Sequence, residues 1–152
     1  MAETLGSLCD KLTVVKLKQW HTEDPERLKS LAAQEKQLQD EINEFIAAAV
    51  SGQIRIERLT FAANKVFKKD GNVVSEVTGT IGTVFSKLAD VNCNLWHEQE
   101  KVYDFENVRA EDKNAVVKHL ALLNLERTQC IDQIDKQFRD IMLKLQKTNA
   151  ES

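Results

Sequence analysis

The chain has 152 residues, with 21 Lys and Arg against 24 Asp and Glu, one Pro, five Gly and three Cys. That length predicts one domain, and a net charge of −3 with no basic stripe speaks against nucleic acid as a partner. So few prolines and glycines argue against the many tight turns of a sandwich, a barrel or a doubly wound sheet, and for a few long helices.

No apolar run approaches the roughly 18 residues of a membrane-crossing helix, so no membrane span is expected. The start Met1-Ala2-Glu3 has neither a basic region nor an apolar one, so no secretory signal is expected. Cys9, Cys93 and Cys130 are widely spaced, without C-x-x-C, and read as reduced thiols of a cytoplasmic protein.

In chain order, the first predicted helix runs from about Thr4 to His21, with Leu5, Leu8, Cys9, Leu12, Val15 and Trp20 on one face. Asp24 and Pro25 then supply an N-cap carboxylate and a first helical residue whose missing N–H costs nothing. The second helix runs to about Ser51. Its stripe is Leu28, Leu31, Glu35, Leu38, Ile42, Phe45 and Ala49, a coiled-coil-like seam with one polar interruption, and Gly52 is the natural residue after its end.

A shorter third helix is predicted from Ile54 to Lys69, ended by Asp70-Gly71. The stretch from Asn72 to Gly79 reads equally as loop, strand or helix entry. A fourth helix is expected over Thr80 to Glu106. A fifth runs from Ala110 or Glu111 to about Lys147, with the stripe Val116, Leu120, Leu123, Arg127, Ile131, Ile134, Phe138, Ile141 and Leu145, in which only Arg127 is polar.

Residues 4–21 and 80–97 align without a gap at an offset of 76, with Thr4/Thr80, Gly6/Gly82, Lys11/Lys87, Leu12/Leu88, Val15/Val91, Trp20/Trp96 and His21/His97 identical. Leucines and lysines match cheaply between amphipathic helices, but this Trp-His pair uses both tryptophans of the chain. Gln37, Asp40 and Ile42 match Gln129, Asp132 and Ile134 at an offset of 92. The expected architecture is therefore all-α: an antiparallel bundle of about five helices built from two duplicated hairpins, repeat one over 4–51 and repeat two over 80–147, joined by 52–79. The buried tryptophans are expected to anchor the core near the hairpin ends, and the glycines to allow close helix crossings.

The run L-G-S-L-C-D-K-L-T-V-V-K-L-K, Leu5 to Lys18, with D-P-E-R-L at Asp24 to Leu28, resembles a family of small uncharacterised bacterial proteins. Their N-terminal pattern is G-E-L-x-D-K-L-T-I-L-E-I-K, and their genes often neighbour glycosyltransferases of surface glycans. The resemblance covers roughly the first 45 residues and implies a bacterial helical protein in a glycan-assembly context. Ser7 stands where the family has an acid, and Ser86 stands opposite Asp10 in the second copy. The resemblance carries no catalytic residue.

Asp10 and His21 share a stripe on the first helix, and Asp90, Cys93 and His97 share one on the fourth, with Lys11 and Lys87 beside them. If the copies face each other, Asp10, Lys11, His21, Lys87, Asp90 and His97 would form a pocket for a phosphate or carboxylate, binding a small anion or acting on it. The plainer alternative is snorkelling lysines and histidines that cap helix ends. Asp90, Cys93 and His97, at i, i+3 and i+7, are the weak candidates for a metal, but no Glu-x-x-His motif accompanies them, so no metal or cofactor is expected. Phosphate-binding glycine loops and the G-x-S-x-G and H-E-x-x-H motifs are also missing. This favours a non-enzymatic module that binds a protein partner or a second copy through its helix seams, accessory to glycan assembly, over an anion-binding protein or enzyme.

Overall fold

The computed structural model describes residues 2–61 and 77–151. Within them the chain is all-helical, with four α-helices and no strand: α1 (Leu5–Trp20), α2 (Pro25–Val50), α3 (Ile81–Tyr103) and α4 (Lys113–Glu151). No helix among the described residues is long and apolar enough to cross a membrane.

The boundaries follow from local chemistry. Thr4 caps α1: its hydroxyl accepts from the Ser7 amide, and the Ser7 hydroxyl accepts from the Thr4 amide. This reciprocal capping box satisfies two otherwise orphaned donors. Ser7 therefore has a local role in starting the helix. Asp24 accepts from the Glu26 amide at 3.2 Å, with Pro25 as the first residue of α2, as expected. Gly52, at φ 79°, turns the chain after α2, a conformation that disfavours any Cβ.

The predicted helix over 54–69 is not found in its described part. Only Ile56–Arg58 forms a single 3-10 turn. Leu59 is buried in the core, and Ile54 and Ile56 pack against it. Three anchors at such spacing pin an irregular segment, because no single helical face could deliver all of them. Residues 62–76, including most of the ambiguous Asn72–Gly79 stretch, lie outside the described residues. The fourth predicted helix ends earlier, at Tyr103, and Phe105–Asn107 forms a separate 3-10 turn. The last helix begins at Lys113 and continues to Glu151, past the predicted fraying point.

α1 is the central helix. It packs on α2, α3 and α4, which explains why its buried residues surround it: Leu5, Gly6, Leu8, Cys9, Asp10 and Val15. It runs antiparallel to α4, since Gly6 meets Asp135 and Asp10 meets Arg127. It runs parallel to α3, since Asp10 meets Asn92 and His21 meets Trp96. One core gathers Leu5, Cys9, Val84, Leu88, Cys130, Ile134 and Phe138, and a smaller one gathers Val91, Leu95 and Leu123.

Three expectations are corrected. Trp20 is 84% exposed and does not anchor the core: it is the last residue of α1, five positions beyond that helix's last buried residue, Val15. Gly82 meets no atom within 4 Å of where a Cβ would stand, so a close crossing exists only at its counterpart Gly6. On α4, Ile141 and Leu145 are exposed and Met142 is buried instead. A strict 3.5-residue stripe drifts about 20° per heptad on a straight 3.6-residue helix, so the buried face passes from Phe138 to Met142.

Candidate functional site

The two polar interruptions in the predicted seams both reach α1. Glu35 of α2 accepts from Lys16 at 2.9 Å and from Gln19 at 2.8 Å. These bonds, the Gln19 amide first, hold its carboxyl below the usual range. Arg127 of α4 reaches Asp10, with Nε 3.5 Å from Oδ1, close enough for ion pairing but outside hydrogen-bond geometry. Asp10 is buried and accepts from Asn92 Nδ2 at 2.9 Å, while the same amide donates to the Thr13 hydroxyl at 2.7 Å. Asp10, Thr13, Asn92 and Arg127 thus tie α1, α3 and α4 together through a polar cluster at the bundle's centre.

Two grooves open on either side of that cluster. One, of about 820 Å³, has Leu8, Val14, Val15 and Leu38 as its apolar base and Lys11, Glu41 and Gln34 at its rim. The other, of about 430 Å³, lies between α1, α3 and α4 and is walled by Trp96 and Tyr103. Val14, Lys18 and Arg127 line both.

The six residues expected to share one pocket are distributed among several places. Asp10 and Lys11 line the larger groove, where the exposed Lys11 pairs with Glu3. His21 and His97 do approach each other, with ring centroids 6.4 Å apart and edge to face. His21 also stacks on Trp96 at 4.6 Å, and its Nδ1 lies 2.8 Å from the Leu17 carbonyl at the end of α1. The Trp-His pairs therefore meet through one tryptophan only. Lys87 lies beside Cys130 instead, and Asp90 is exposed. α3 carries its polar positions on more than one face, so a repeat matched in sequence does not align its side chains towards one cavity.

Asp90, Cys93 and His97 are all exposed, and no group of three or more His, Cys, Asp or Glu side chains among the described residues is placed to hold a metal. His119 completes a second cluster: its Nδ1 is 3.2 Å from the buried Glu98, which also accepts from Lys101 at 2.7 Å. The Lys101 bond and then His119 hold the Glu98 carboxyl low, against the effect of burial.

Asp135 escaped the sequence reading. It lies on α4, 3% exposed, and accepts from the Gly6 amide at 2.7 Å and from the Thr4 hydroxyl. An acid from another helix thereby satisfies an orphan donor at the N-terminus of α1 and meets the positive end of its dipole. Burial nonetheless pushes its carboxyl up to about 6, the two hydrogen bonds offsetting only part of that cost. Burial, with Asp135 and Asp10 nearby, likewise pushes the Cys9 thiol up to about 12, which leaves it unreactive at neutral pH. The available signal for Asp135 was an acid directly following Ile134 on an apolar face.

No family model, curated protein or solved structure matches this chain.

Proposed function

We propose that the chain is a non-enzymatic helical module that self-associates. The observation that supports this reading is a set of large apolar side chains left exposed at one end of the bundle: Ile46 and Val50 on α2, and Ile141 and Leu145 on α4. The Phe45 and Phe138 rings, 6.3 Å apart, set the level at which the two helices pass. Each exposed pair follows its phenylalanine within about two turns and is spaced i, i+4, so each pair forms its own short apolar ridge. A second copy presenting the same ridges would cover them in a two-fold contact.

The N-terminal resemblance supports an accessory role beside surface-glycan glycosyltransferases, and the three free cysteines suit a reducing compartment. The matched blocks at 4–21 and 80–97 are read as remnants of a duplicated hairpin whose copies have since taken different neighbours.

Sedimentation equilibrium of the full chain across micromolar to hundred-micromolar concentration tests the reading. A reversible dimer that becomes monomeric in Val50→Asp/Leu145→Asp is expected. A wild-type chain that stays monomeric throughout overturns it.

A further inference from the structure

The smaller groove has the attributes of a ligand site that the self-association reading does not use. Its volume of about 430 Å³ falls in the range typical of small-molecule pockets. Val14, Leu17 and Leu95 make an apolar base, and the Trp96 and Tyr103 side chains stand along its walls. Tyr103 is 83% exposed, an unusual placement for a large ring. Two cations line the groove, Lys18 and the Arg127 of the polar cluster. Lys18 has no ion-pair partner among the described residues, and Arg127 has only Asp10, approached through Nε. Its two terminal amino groups, a planar fork suited to a carboxylate, sulfonate or phosphate, make no hydrogen bond there. The acid in the groove, Glu100, is tied to the aromatic wall: Oε1 accepts from Trp96 Nε1 at 2.9 Å, and Oε2 lies 3.9 Å from His97.

We propose that this groove binds an organic anion with an aromatic body, its charged group held by Arg127 and Lys18 and its ring against Trp96 and Tyr103. The Asp10–Arg127 contact serves as the support. It engages the guanidinium through Nε, so the two terminal amino groups stay free for a ligand. Asn92, which lines the same groove, is held in turn by its bonds to Asp10 and Thr13. The two cations and the aromatic walls together select for a molecule carrying both features. An inorganic anion would gain nothing from the walls, and a neutral aromatic would leave both cations unpaired.

Anilinonaphthalene sulfonate, an aromatic anion whose fluorescence reports its environment, is the probe, with the uncharged N-phenylnaphthylamine as its counterpart. The full chain is expected to bind the sulfonate saturably at one site, about tenfold or more tighter than the neutral dye, as one lost charge-assisted hydrogen bond implies. Lys18→Ala, a change at an exposed and unpaired position, is expected to weaken the sulfonate roughly three- to tenfold and leave the neutral dye unchanged. Tyr103→Ala should weaken both dyes. Arg127→Lys keeps a charge beside Asp10 but loses the fork, and is expected to weaken the sulfonate about tenfold. Equal affinity for the two dyes, or sulfonate binding indifferent to Lys18→Ala and Tyr103→Ala, overturns the proposal. So does binding that is lost in Val50→Asp/Leu145→Asp, which would put the dye on the apolar end patch. Dimerisation is read separately, so the two proposals stand or fall apart.

Discussion

The Gly6 amide donates to the Asp135 carboxylate at 2.7 Å, joining residues 129 positions apart in the chain. A Cβ at Gly6 would stand 2.5 Å from the Ile131 carbonyl oxygen and 2.8 Å from Asp135 Oδ1. The first of these is backbone and cannot swing away, so the glycine is what lets α1 and α4 approach closely enough for the bond.

The paired glycines should therefore respond in opposite directions to alanine. Gly6→Ala is expected to destabilise the fold by about 1–3 kcal/mol, the overpacking outweighing the better helix propensity of alanine. Gly82→Ala, in open space on α3, should stabilise by about 0.5–1 kcal/mol. Urea unfolding of both variants checks the contrast. Equal shifts would mean that α1 and α4 do not meet at Gly6.

Asp135 gives stability a pH dependence of defined sign. Its carboxyl sits at about 6 in the fold against 3.8 in an unfolded chain. Between those values the native state holds a proton that the unfolded state has released, so unfolding free energy falls as pH rises through the window. The contribution is fully present below 3.8 and gone above about 6, at most about 3 kcal/mol. Asp135→Asn keeps an acceptor for Gly6 and removes the titration. The urea midpoint of this variant, less that of wild type, should rise from pH 4 to pH 6 and then level off. Taking the difference removes Glu98 and Glu35, whose lowered carboxyls act with the opposite sign. A flat difference curve would show that Asp135 is not buried as an acid.

The central ion pair should cost more to halve than to replace. Asp10→Ala leaves Arg127 without its ionic partner and takes an acceptor from Asn92, and is expected to destabilise by about 2–4 kcal/mol. Arg127→Met alone strands Asp10, while the double variant Asp10→Ala/Arg127→Met should recover at least about 1 kcal/mol of the summed losses. Strict additivity in the cycle would show that the two side chains do not interact.

The two tryptophans, matched in the sequence alignment, should separate in solution. Trp20→Ala is expected to change stability by no more than about 0.5 kcal/mol, as befits a side chain 84% exposed. Trp96→Ala removes the stack on His21 and the bond to Glu100, and should cost about 1–2 kcal/mol. Iodide quenching of the single-tryptophan variants checks the exposure directly: the chain retaining only Trp20 should quench as freely as the free amino acid.

The position of α2 was legible because its signals are local: Asp24, Pro25 and Gly52 all act within a few residues of themselves. α1 was legible from its apolar spacing, while the Thr4–Ser7 capping box emerged only from the structure. The all-helical class followed from scarce Pro and Gly. Glu35 and Arg127 were visible as interruptions, but their partners on α1 were not, because a polar residue in a seam announces a partner without naming it. The duplicated Gly, Trp and His positions misled about the site. Identity between two helices says nothing of which neighbours each one meets, and α1 is enclosed by three helices where α3 leaves Gly82, Asp90 and Cys93 in the open.

Sequence periodicity and caps, being short-range, determined that the described residues form a set of helices and where most of them start. Tertiary packing alone decided which faces were buried. The closeness of α1 to α4 turned Asp135 into a buried acid, placed Arg127 between two grooves and left Trp20 outside. Burial and electrostatic environment depend on the sum of all neighbours, and for Asp135 and Arg127 the deciding ones, on α1, lie more than a hundred residues away.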